Sequence, residues 1–272
     1  MIRLATSDGW WLITHPDHAH LAGEFAAAWG NVLFAAPEPR SHVLRGIYRH
    51  DNGWLKRDAA PAITLEGKPV AFSTELVGTY AAFEEIDLAD YLAVRREAVL
   101  AMAEEDPFAA ILISMHTHNL LSERADRSTI RPEQLPLLDG FLVEQLDLQG
   151  KLRKHLLNTA EFFPRQLDQV LTENFRLLQA TDNLSLLSCV DFEKPATLLH
   201  PLRTEHGDAQ QVTVQRKAER SFRLSPYPLR EPEMRFVLRA RFVRVRRFTS
   251  STELADRLAA APMQTLEVTI SA

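Results

Sequence analysis

The dipeptide His50-Asp51 is the first place in this chain where side chains suited to chemistry stand side by side. An imidazole and a carboxylate on neighbouring helical residues diverge by roughly 100°. They converge on one point only where something between them, typically a metal ion, accepts both. His-Asp alone is a common pair, but His18, His116 and Asp182 each fall on an otherwise apolar helical stretch far away in sequence. An ionised carboxylate in an apolar stripe must be paired, protonated or bound to a cation. For Asp182 alone, a bond to the backbone near Ser185 or to an arginine would serve, as a backbone carbonyl would for His18. Taken together, His18, His50, Asp51 and Asp182 would each need a separate partner, whereas one ion satisfies all four. His116 is the candidate for a second metal ligand or a phosphate contact. His118, two residues on, points to the opposite side of the same helix.

The elements that must carry these residues can be read from hydrophobic period. Ile2 to Thr14 alternates around Ser7-Asp-Gly9 and predicts a β-hairpin. Asp17 is placed to cap a helix with His18, Leu21, Ala22, Phe25 and Trp29 on one face, ending at Gly30. Ser41 is placed to cap the next, in which Val43, Ile47 and His50 share a side and Asp51 lies beside it. A long loop is expected from Asp58 to about Asp87, then an amphipathic helix over 88–105. Phe108 to about Ser122 is apolar nearly all round and predicts a central helix. Helices follow over 132–157 and from Pro164, the last with Leu171, Leu178, Asp182, Ser185 and Cys189 on one face.

After Lys194-Pro195 the pattern is β-type: 211–214, 221–224, 236–248 and 265–270, with a short helix at about 251–260. The expected class is α+β: a mainly helical domain over 15–195, and a small β-rich subdomain made of 1–14 with 196–272. Arg239 and Arg241 differ in parity from Arg244 and Arg246, so a bulge near Phe242-Val243 would keep them on one face.

Composition narrows the function classes. With 46% hydrophobic and 25% charged residues, the chain is that of a globular protein with a sizeable core. A net charge of −5, little aromatic interleaving and no binding motif argue against a nucleic-acid partner; the arginine run 235–247 reads as a solvated strand or a set of ion pairs. The single cysteine, Cys189, excludes thiolate-rich zinc sites and leaves only His and carboxylate ligands. No apolar run approaches a membrane span and no signal-like segment opens the chain, so the cytoplasm is the expected compartment. Phosphate-binding glycine loops, a nucleophile elbow and His-Glu-x-x-His are all lacking.

The order His18, His50-Asp51, Asp182 resembles the H…HD…D signature of the HD-domain superfamily, helical metal-dependent phosphohydrolases. More closely, Asp17-His-Ala19, His50-Asp-Asn-Gly-Trp54 with Asp58 and Pro61, Ser114-Met-His116, and Asn174 with Asp182 and Leu184-Ser-Leu186 look like a bacterial family known as domain of unknown function 3891. The resemblance implies an HD-like helical domain in which His18, His50, Asp51 and Asp182 hold a divalent ion. The histidine set of two-metal members is incomplete here. His and carboxylate donors suit Mn, Fe, Co, Ni, Zn or Mg without selecting among them. The expected function is hydrolysis of a phosphate ester in a small phosphorylated molecule, with Asp58 as proton acceptor or outer partner and His116 as second ligand or phosphate contact. The alternative is a regulatory protein that binds metal and ligand without catalysis.

Overall fold

The computed structural model describes residues 1–71, 87–159 and 164–272. The chain opens with β1 (Ile2–Ala5) and β2 (Trp10–Ile13), paired antiparallel. Helix α1 (His15–Ala28) follows directly, and its cap is Thr14, whose hydroxyl accepts from the Asp17 backbone N–H. Asp17 therefore lies in the first turn and not before it, because Pro16 suits the start of a helix, where no intrahelical N–H partner is needed. Helix α2 (Arg40–Arg49) begins after Pro39 without a side-chain cap, so the expected role of Ser41 is not observed. A short 3-10 turn (Asn52–Trp54) leads into α3 (Leu55–Ala59).

The expected loop from Asp58 thus starts inside a helix. It continues through a turn closed by an Ile63–Pro69 bridge, and its remainder, 72–86, lies outside the described residues.

Helix α4 (Leu88–Glu105) is capped by Asp87, and α5 (Pro107–Asn119) by Asp106. A π-type turn (Leu120–Arg124) ends α5, and α6 (Leu135–Asn158) and α7 (Pro164–Cys189) complete the helical layer. Phe108 to Ser114, with His116 and Thr117, are all buried in α5, which packs against α2, α4, α6 and α7. A helix apolar on every side must be surrounded, and this one is. Elsewhere in the helical layer, two glycines permit close approach between neighbouring elements. A Cβ on Gly23 would meet the Tyr48 ring at 2.2 Å, and one on Gly53 would meet the Val94 carbonyl at 2.4 Å.

The rest is β-rich: β3 (Ala196–Thr197), β4 (Leu202–Arg203), β5 (Ala209–Gln210), β6 (Thr213–Ala218), β7 (Ser221–Ser225), β8 (Glu233–Val243), then α8 (Ser251–Ala260) and β9 (Met263–Ser271). The fold is α+β, its helices joined by a curled sheet in the order β1-β2-β8-β9-β7-β6-β3. Both ends of the chain share that sheet, in which only β7 and β9 pair parallel. One hydrophobic core runs from Leu21, Phe25, Ile47 and Leu178 in the helices to Phe222, Leu238 and Ile270 in the strands.

The arginine run needs no bulge: β8 pairs in unbroken register with β9 and ends at Val243. Arg244 and Arg246 lie beyond it, where Arg244 meets Asp8 and Arg246 donates to the Thr6 carbonyl. Arg239 approaches Asp17 at 3.7 Å, and Arg235 lies near Glu233 and Glu267. Among the described residues, no helix is long and apolar enough to cross a membrane.

Candidate metal centre

Four elements bring five ligand-type side chains into one buried group. His18 comes from α1, His50 and Asp51 from the end of α2, His116 from α5 and Asp182 from the middle of α7. All five are buried. His18 Nε2 lies 3.0 Å from Asp51 Oδ2 and 3.7 Å from Asp182 Oδ1. His50 Nε2 lies 3.3 Å from Asp182 Oδ1 and 3.9 Å from Asp51 Oδ2, and His116 Nε2 lies 3.9 Å from Asp182 Oδ2. The predicted divergence of the doublet is overcome where the helix stops. His50 keeps helical angles (φ −58, ψ −24), but Asp51 leaves them (φ −114, ψ 15), which swings its carboxylate back towards His50.

The far nitrogens of two imidazoles are already committed. His50 Nδ1 donates to the Ile47 carbonyl at 2.8 Å. Ser185 Oγ donates to the Asp182 carbonyl at 2.8 Å, so its oxygen accepts from His18 Nδ1 at 2.7 Å. With the protons on Nδ1, both Nε2 lone pairs point at carboxylate oxygens, acceptor against acceptor, an arrangement that requires a positive charge between them. At His50 a proton supplies that charge in the metal-free protein. Burial opposes the charged form of His50, but Asp51 and Asp182 outweigh it and hold the imidazole above its ordinary value. Burial likewise opposes ionised Asp51 and Asp182. Arg95 and His50 nevertheless hold Asp51 well below the usual carboxylate range, and His50 with the other imidazoles lowers Asp182. Burial holds His116 down to about 3, so it presents a neutral ring.

The donor set fits a divalent ion. The ligand atoms of His18, His50 and Asp51, and those of His50, His116 and Asp182, lie within 4.8 Å of one another. Neighbouring ligands about 2.1 Å from one ion sit roughly 3.0–3.4 Å apart, close to the shorter separations found here.

Asp58 is not part of this group. Its Oδ2 accepts from the His15 backbone N–H at 2.6 Å, its Oδ1 from the Met1 α-amine at 2.7 Å, and His15 Nδ1 lies 3.0 Å away. It holds the start of α1, where an orphan N–H and the helix dipole both favour a carboxylate. The expectation of a proton acceptor at the cluster placed Asp58 in a loop; helix α3 carries it to the other side of His15.

Three contributors were not anticipated. Arg95 donates to Asp51 Oδ1 and to Tyr91 Oη, and lies over the Trp54 ring at 5.5 Å. It stands on the buried face of α4 with Leu88, Leu92, Val99 and Met102, so an arginine in that stripe was the available signal. His15 stacks on Trp54 at 4.4 Å between ring centres. Ser185 lay on the α7 stripe, but its bond to His18 spans 167 residues and has no local signature.

The family model described as "Protein of unknown function (DUF3891)" matches residues 1–245. No curated protein and no solved structure matches the chain significantly.

Proposed function

The chain belongs to that family, whose description names no activity, and from the site alone we propose that it is a metal-dependent hydrolase of a phosphate ester with an HD-like ligand arrangement. The observation that carries the reading is the pair of Nε2 lone pairs, on His18 and His50, facing Asp51 and Asp182 at 3.0 and 3.3 Å while both Nδ1 positions are spent elsewhere. His18, His50, Asp51 and Asp182 would hold the ion, and His116 stands next to Asp182 as a further ligand or as a contact to substrate phosphate. A bound divalent cation would supply Lewis-acid charge for the phosphoryl oxygens and acidify water at neutral pH.

The chain's own residues prepare that chemistry. Arg95 occupies Asp51 Oδ1, which leaves Oδ2 to face His18 and the centre. Ser185 and the Ile47 carbonyl fix the two ring orientations. The Asp182 carboxylate lies between three imidazoles and is the group the arrangement can least spare.

The test is metal analysis of untreated purified protein, followed by turnover assays with Mn, Fe, Co, Ni, Zn and Mg on phosphomonoesters, nucleotides and cyclic dinucleotides. About one ion per chain and a turnover removed by His50→Ala support the reading. Metal-free protein that takes up none of these ions overturns it, and metal-loaded protein without turnover leaves a binding protein.

A further inference from the structure

A buried arginine in the β-rich part of the molecule has an open edge. Arg220 is 7% exposed. Its Nη1 donates to Glu219, while Nε is buried with no acceptor and Nη2 has none among the described residues. Elsewhere in the chain the Nε–Nη2 edge is the one that holds a carboxylate. Arg216 gives it to Asp191 at 2.8 and 2.5 Å, and Arg96 gives it to Glu144 at 2.7 Å from each nitrogen. A guanidinium has no way to lose its charge, so burying this edge of Arg220 without an acceptor is unfavourable.

The backbone holds that side chain in place at a cost. Arg220 stands in the tight turn between β6 and β7 with a left-handed φ of 49, a conformation that glycine or asparagine adopts more easily. The turn is tied down on both sides: the Arg220 N–H donates to Asp191 Oδ1 at 2.8 Å, and its carbonyl accepts from the Thr269 N–H at 2.9 Å. Asp191 is spent between Arg216 and this turn, so it does not supply the missing acceptor. Arg220 lines a cleft of about 440 Å³, where the end of β1, at one edge of the sheet, meets the β6–β7 turn and the segment that follows α7. Leu4, Trp11, Val190 and Phe192 give the cleft an apolar wall, in which Leu4 and Trp11 are paired across β1 and β2 and the Trp11 ring is held 5.0 Å from that of Phe242. Glu193 and Lys194 stand exposed at the rim with opposite charges. The group left uncompensated is the edge of Arg220.

We infer that this cleft binds a small organic carboxylate, with its two oxygens on the Nε–Nη2 edge of Arg220 and its apolar body against Leu4, Trp11 and Phe192. A planar group with two acceptor oxygens matches that edge in geometry and charge. A concave site of this size, with an apolar wall and one fixed charged group, is of the kind that takes a small molecule. The cleft is separate from the metal-type centre. It begins just past Cys189, the last residue of α7, which lies seven residues beyond Asp182 and roughly 10 Å along the axis at ~1.5 Å per residue. The inference stands or falls without the hydrolase reading.

The test uses chelator-treated full-length protein, so that no metal contributes, titrated calorimetrically with phenylacetate, indole-3-acetate and hexanoate. At least one of these is expected to bind about tenfold more tightly than either acetate, which lacks the apolar body, or 2-phenylethanol, which lacks the carboxylate. Arg220→Gln is expected to weaken that binding about tenfold, the scale of losing a charge-assisted contact. Arg220→Lys should not restore it, because an ammonium cannot offer two parallel N–H groups. Melting curves check the fold. If Arg220→Gln is unstable, Ala5→Trp decides, since it fills the cleft from an exposed position at the end of β1 and should abolish binding. Protein that takes up none of the three carboxylates, or stable variants that bind them as the wild type does, overturn the site. Binding of 2-phenylethanol as tight as that of phenylacetate, or tighter binding of benzylphosphonate, overturns the carboxylate assignment.

Discussion

Two buried histidine–aspartate groups begin one helical turn apart on α1, at His15 and at His18, and they are built on opposite principles. Around His15, every oxygen of Asp58 has a proton donor: the Met1 amine on one side, the His15 backbone N–H on the other. Burial pushes the His15 imidazole down to about 4, against the pull of Asp58, and His15 with the amine holds Asp58 below the ordinary carboxylate range despite its own burial. That group is complete with the protons it has. Around His18, two carboxylates meet three imidazoles, and the Nε2 lone pairs of His18 and His50 face them. The same residue types, equally buried, therefore give a structural pin in one place and a cation site in the other, and the difference lies in where the neighbouring N–H groups point.

The strongest way to break this contrast is to remove one carboxylate from each group. Asp182→Ala is expected to abolish metal uptake, read as ions per chain in purified protein. Asp58→Ala is expected to retain the metal and lose about 3–5 kcal/mol of unfolding free energy, the scale of stripping one partner from a buried ion pair. Equal metal loss in both variants would mean that the two groups are one site.

Removing the ion should act on only one of the groups. An ion present at about 1,000 times its Kd adds roughly 4 kcal/mol to stability. For a chain of this size, chelation is then expected to lower Tm by on the order of 10 °C. The Asp182→Ala variant should show no chelator response. A wild-type Tm indifferent to chelator would place the His18 group with the structural one.

How much of this was legible in the sequence follows the same division. His18, His50, Asp51 and Asp182 stood out because each interrupts an apolar stripe, and periodicity reports such interruptions directly. His116 stood out because its helix is apolar all round. The limits of α4 and α8, and the start of α7, follow from their caps, prolines and period. What period cannot report is which distant group satisfies a polar residue. Asp58 was placed by loop composition, while its position depends on α3 and on contacts to residues 1 and 15. Arg95 and Ser185 act across 44 and 167 residues. The bulge expected in β8 failed because parity was carried past Val243, where the strand has already ended.

Acid should separate the groups by a smaller margin. Because the folded value of His15 is depressed from 6.5 to about 4, the unfolded chain takes a proton that the folded protein refuses. Its contribution to stability is whole above pH 6.5 and is lost as pH falls towards 4, about 3 kcal/mol in all at ~1.4 kcal/mol per unit. Chelator-treated His15→Asn protein should lose correspondingly less stability than chelator-treated wild type between pH 6.5 and 4. Parallel curves for the two would remove His15 from the acid response.

The smallest effect expected is also the most selective, since it leaves every ligand in place. Ser185 Oγ accepts from His18 Nδ1 and donates to the Asp182 carbonyl, so Ser185→Ala strips the proton acceptor that fixes the His18 ring. Loss of such an outer partner lowers metal affinity by about 10–100-fold in known sites, and about tenfold is expected here, measured by competition with a chelator of known affinity. Ser188, three residues further on, donates to the Leu184 carbonyl of its own helix. Ser188→Ala removes the same hydroxyl from the same buried helix without touching an imidazole, and its metal affinity should match the wild type. If the two serine variants weakened metal equally, the orientation of His18 would owe nothing to Ser185. The lone pair at Nε2 would then have no fixed direction, and the distinction between the two histidine groups would rest on the carboxylates alone.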